Sequence, residues 1–176
     1  QLDAMSACFS QSTAADAGQA CPGELLQCVA GGKSGLASCR ETLACFGACK
    51  PGNDGCGLAC FEAADVKAQQ LFAAAADCNA KGGGPGCIDA LVACVAPTGA
   101  KVCTDVFACL SKCGGKSASC NYDCLGEASA AEAAKVLQLI TCSDAKCKSA
   151  CAGDGACQQK CAQKECAAEF KACIGG

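Results

Sequence analysis

The chain has 176 residues, of which 23 are cysteine and none is histidine, and a formal net charge of −3. That balance, with no basic run and almost no aromatic stacking surface, excludes nucleic acid as a partner. The missing histidine excludes c-type haem attachment, His-ligated zinc and the commonest general base.

The polar, Ser- and Ala-rich stretch 1–20 reads as an N-terminal arm with one cysteine, Cys8. A start at Gln1 is what a mature exported product shows once its signal peptide is removed. The Ala and Gly richness points to a bacterial source. Thiols this dense persist as disulfides only in an oxidising compartment, so a secreted, cell-surface or periplasmic location is expected. Leu, Ile, Val and Phe together number only 28, against 38 Ala. That is too few for an ordinary core, and disulfides are expected to replace hydrophobic burial.

Residues 21–28, CPGELLQC, are the first of three C-x6-C segments; CIDALVAC at 87–94 and CAAEFKAC at 166–173 are the others. A spacing of seven returns to nearly the same helix face, so each reads as a short helix with two clips. The expected clips are Cys28–Cys39 with Cys21–Cys78, and Cys94–Cys103 with Cys87–Cys142. The swapped pairings stay open, since four cysteines allow three connectivities.

After the breaker GGKSG at 31–35 comes CFGAC-KPGNDG-CGLAC at 45–60, and the same twin CxxxC recurs at 109–124 and 147–161. Cysteines four apart share one helix face. Two such helices folded back about a short turn join outer to outer and inner to inner. The expected bridges are Cys45–Cys60 with Cys49–Cys56, Cys109–Cys124 with Cys113–Cys120, and Cys147–Cys161 with Cys151–Cys157. Residues 61–78 and 125–142 are Ala-, Glu-, Lys- and Leu-rich without proline, so the second arm of each of the first two hairpins is expected to run on as one long helix. The longest apolar stretch, Leu71–Ala76, is far short of the roughly 20 residues that span a bilayer.

Breakers at 81–86 and 96–99 complete the expected organisation. It comprises the arm 1–20, an eight-cysteine repeat over 21–80, a second over 81–142, and a truncated third over 143–176. The fold class is all-α, with disulfide-rich helical hairpins stacked into an elongated array.

The hairpins resemble the α-hairpinin peptides of plants, which share C-x3-C…C-x3-C helices with outer–outer and inner–inner bridges. They are similar also to the small mitochondrial intermembrane-space chaperones, whose twin CX3C motifs stand farther apart. Both resemblances cover only residues 45–60, 109–124 and 147–161, through cysteine spacing. A looser likeness to bacterial copper-storage bundles lies in the cysteine-rich helices.

Three functions compete. The first is a non-enzymatic structural or interaction protein, a subunit or accessory component of an extracellular assembly, needing no cofactor and engaging protein partners or itself. Twenty-two cysteines can pair within the repeats, so Cys8 is either closed onto Cys166 or Cys173 or free for an intermolecular bridge. The second is Cu(I) storage by reduced thiolates, which soft sulfur ligands allow. The third is a secreted protease inhibitor or antimicrobial effector, with Lys50 or Lys116 as the inserted basic residue. No CxxC pair is present and a nucleophilic cysteine lacks an activating histidine, so no catalytic residue is assigned.

Overall fold

The computed structural model describes residues 30, 32–50, 52–80, 85–114, 117–152 and 154–175. The arm 1–20, Cys8, Cys21, Cys28 and Lys116 lie outside the described residues. Among those described, the regular structure is helical, with no strand. Two compact units emerge. One runs to Ala96 and takes in 115–122; the other comprises Pro97–Gly114 and Asp123–Gly176. The division at Ala96 and Pro97 differs from the boundaries at 80/81 and 142/143 expected from the sequence.

In the first unit, α1 (Cys39–Ala48) and α2 (Asp54–Ala63) form the first hairpin, followed by α3 (Val66–Ala80), a 3-10 turn (Pro85–Cys87) and α4 (Ile88–Val95). Ser38 starts α1 with a capping box. Its hydroxyl accepts from the Glu41 amide, and the Glu41 carboxylate accepts from the Ser38 amide, each satisfying a donor the helix leaves open. The Glu41 carboxyl is held below its ordinary range, first by that backbone hydrogen bond. Asn53 caps α2 by accepting from the Cys56 amide at 3.2 Å.

The long second arm expected over 61–78 is broken. Asp65 accepts from the Ala68 amide at 2.7 Å and starts α3 afresh, while Ala64 is extended. The linker before α1 lies beside this break: Gly35 N–H donates to Ala64 O and Asp65 N–H donates to Ala37 O, giving an isolated parallel bridge from Ala37 to Ala64. A methyl group at Gly35 would overlap the Ala63 carbonyl. The buried Gln69 amide then donates to Lys33 O and Phe61 O, satisfying two carbonyls at the junction. Below it, Phe72 stacks on Phe46 with centroids 4.4 Å apart and meets Phe61 edge-on at 6.1 Å. Phe61 and Ala64 are fully buried. Three aromatics thus anchor a core otherwise built of Ala, Cys and partly buried Leu.

The second unit repeats this plan 64 residues later. It comprises α5 (Cys103–Cys113), α6 (Ala118–Gly126, shared at its start with the first unit) and α7 (Ala130–Lys146), then α8 (Lys148–Cys151), α9 (Gly155–Glu165) and α10 (Ala167–Ile174). The stretch 125–142 is likewise broken, at 127–129, because Ser129 caps α7 by accepting from the Glu132 amide. Lys101 pairs with Ala128 as Ala37 does with Ala64. A methyl group at Gly99 would overlap the Glu127 carbonyl, and Lys101 forms an ion pair with Glu127. The core here is aliphatic: Val106 and Val136 are fully buried, with Leu125 and Leu139 nearly so. The stretch 143–176 completes this unit. The third hairpin, α8 and α9, is inserted between α7 and α10, and α7 packs against both α9 and α10.

Candidate functional site

The chemistry of this chain is concentrated in its sulfurs. All twenty cysteines from Cys39 onward are disulfide-bonded. Five hairpin bridges stand where the spacing places them: Cys45–Cys60, Cys49–Cys56, Cys109–Cys124, Cys147–Cys161 and Cys151–Cys157. Cys113 and Cys120 are also bonded. Helical i, i+4 placement on two antiparallel arms brings the sulfurs together without any long-range information.

The clips differ from the expected ones. Cys78 bonds Cys87 and Cys39 bonds Cys94, not Cys21 and Cys28; Cys142 bonds Cys166 and Cys103 bonds Cys173, not Cys87 and Cys94. Each long helix is therefore closed by the C-x6-C helix that follows it, not the one that precedes it. In the first unit the reason is local: Cys78 and Cys87 are 9 residues apart, across a segment rich in Gly, and short connections set sequential helices side by side. Cys166 and Cys173 are thus occupied within the second unit, which removes them as partners for Cys8.

The closing helix then does two things. Its first cysteine ties down the far end of the long helix. Its last reaches the first turn of the hairpin, across 55 residues in one unit and 70 in the other. Loop-closure entropy makes each of these long bridges worth about 4 kcal/mol, against roughly 2 kcal/mol for an inner hairpin bridge.

Within the first hairpin the two bridges touch. Cys49 Sγ lies 3.8 Å from Cys60 Sγ, and the Cys49, Cys56 and Cys60 sulfurs all fall within 4.8 Å of one another. Cys113 Sγ and Cys124 Sγ are 3.6 Å apart in the second. Reduced to thiolates, sulfurs this close could share a soft cation; as disulfides they lack the charge that a metal ligand carries.

Electrostatics are muted elsewhere. The Glu132 carboxyl accepts from Lys135 Nζ at 2.6 Å and from the Cys103 amide at 3.0 Å. The Lys135 hydrogen bond is the main cause holding it below the ordinary carboxylate range. Its role is to lock the start of α5 onto α7. Lys50 sits exposed after the first hairpin's α1. The inserted hairpin adds a cleft of about 530 Å³ to the second unit, floored by Phe107, Leu139, Ile140 and Phe170 and edged by Ser111 and Gln158. No described helix is long and apolar enough to cross a membrane. No protein-family model matches this chain, and neither the curated proteins nor the solved structures contain a match.

Proposed function

We propose that this protein is a secreted or cell-surface structural and interaction protein, a disulfide-rigidified subunit or accessory component of an extracellular assembly. The observation that carries this reading is where the bridges go. They run along and between helices, from hairpin to closing helix, and convert a thin apolar core into a covalently closed frame in each unit. Such a frame suits a part that must hold its shape outside the cell, where disulfides persist. The absence of histidine from the sequence favours a non-catalytic role. The partner is a protein or a further copy of the chain, and the N-terminal arm with Cys8 is the segment available to reach it.

The test compares the full oxidised chain with a variant lacking residues 1–20, by light scattering and native mass spectrometry. The full chain is expected to form a defined oligomer or complex that the truncation loses. Identical assembly by both forms would remove the arm from the account. Thiolate Cu(I) storage would instead require these bridges open, a state the same preparation would declare through alkylatable thiols and bound copper.

A further inference from the structure

The stacked bridges of the first hairpin differ from one another in how solvent reaches them. Cys45 is exposed, Cys49 and Cys56 are half-buried, and Cys60 retains 2% of its surface. The buried sulfur is the one in contact with the neighbouring bridge, at 3.8 Å from Cys49. Cys56 lies in the first turn of α2, with Asn53 capping that helix.

We propose that the first hairpin is a thiol–disulfide exchange relay, entered at Cys45 by an external cysteine thiolate and left at Cys56. The attacking thiolate forms a mixed disulfide with Cys45 and expels the Cys60 thiolate. The Cys60 thiolate attacks Cys49, forming Cys49–Cys60 and expelling the Cys56 thiolate, which takes up the proton lost by the incoming thiol. A second external thiolate resolves the mixed disulfide, frees Cys45 and leaves as an external disulfide. Two external thiols are oxidised and one hairpin disulfide is reduced, so the electrons balance.

The direction follows from solvation. A thiolate expelled at Cys60 is held away from solvent, where its charge is unfavourable, and the sulfur of the neighbouring bridge 3.8 Å away is an electrophile. Exchange moves that charge to the half-exposed Cys56, in the first turn of a helix where thiolates are stabilised, and a stabilised thiolate leaves faster. The other hairpins offer poorer entry: Cys109 is half-buried and Cys147 is fully buried. Exchange at the first hairpin is independent of the scaffold role, which asks nothing of how the bridges exchange.

Reduced glutathione, a cysteinyl peptide, serves as the probe on the intact oxidised protein, followed by acid quench, alkylation and mapping of modified and bridged peptides. The expected early product carries glutathione on Cys45, a new Cys49–Cys60 bridge and an alkylated Cys56. Modification at the first hairpin should exceed that at the third by on the order of tenfold. Alkylated Cys60 beside an intact Cys49–Cys56 bridge would overturn the relay, as would equal modification of Cys45 and Cys147. A Cys45→Ala variant tests the second step without any added thiol. It should rest with Cys49–Cys60 formed and Cys56 alkylatable; any other pairing contradicts the proposal. If that variant fails to fold, the glutathione mapping on the unaltered protein still decides.

Discussion

The two units of this chain solve one problem with the same covalent plan and different contents. In both, a linker lies beside the break between the hairpin and the long helix, and a glycine makes room for a carbonyl there. In both, a C-x6-C helix is bonded at one end to the long helix and at the other to the first turn of the hairpin. The cores differ, three phenylalanines in the first and mainly valine and leucine in the second. The second also accepts a whole extra hairpin between its long and closing helices. The plan therefore resides in the disulfides and caps. Side-chain packing and even an inserted element can vary around it.

The sharpest way to break the comparison is to remove the long-range bridge from each unit in turn. Cys39→Ala with Cys94→Ala, and Cys103→Ala with Cys173→Ala, should each cost about 4 kcal/mol, read as a fall in the denaturant midpoint of that unit. The two loops, 55 and 70 residues, are close enough that the costs should match. A large inequality would mean that one unit depends on its core more than on its covalent frame.

The glycine pair is the next test. Gly35→Ala and Gly99→Ala each drive a methyl group into a carbonyl that cannot move without breaking the bridge beside it. Each should lower stability by about 2 kcal/mol. A tolerated substitution in one unit alone would show that its linker can shift.

The hairpin bridges were legible because they are local: cysteines at i and i+4 around a turn admit one sensible pairing. The closing bridges were not, because a C-x6-C helix has a long helix on either side and the spacing alone does not say which it joins. Cys87 and Cys94 fit the hairpin before them and the one after equally well by periodicity. The break in the second arm did leave a signal in the sequence. Asp65 and Ser129 are N-cap residues, and Ser129-x-x-Glu132 has the form of a capping box; the Ala-rich composition of the surrounding stretches concealed it. Nothing in the spacing of the third hairpin reveals that it is an insertion in the second unit, because that depends on where Cys142 finds its partner.

The smallest expected effect lies in the two capping carboxyls, Glu41 in the first unit and Glu132 in the second. Both are held below their ordinary pKa in the folded chain. Their contribution is therefore complete above the unfolded value of about 4.5 and is lost as pH falls through the lower folded value. Solvent screening limits each to under about 1 kcal/mol. Unfolding followed between pH 6 and pH 2 should show a shallow loss that Glu132→Gln removes for the second unit only.

That each long helix is closed by the C-x6-C helix following it can be checked by mapping disulfides in the native protein. Alkylation without reduction, proteolysis and mass analysis should leave every cysteine from Cys39 onward unlabelled. The linked peptides should join Cys39 to Cys94, Cys78 to Cys87, Cys103 to Cys173 and Cys142 to Cys166. Peptides joining Cys94 to Cys103 or Cys87 to Cys142 would contradict the account and restore closure by the preceding helix.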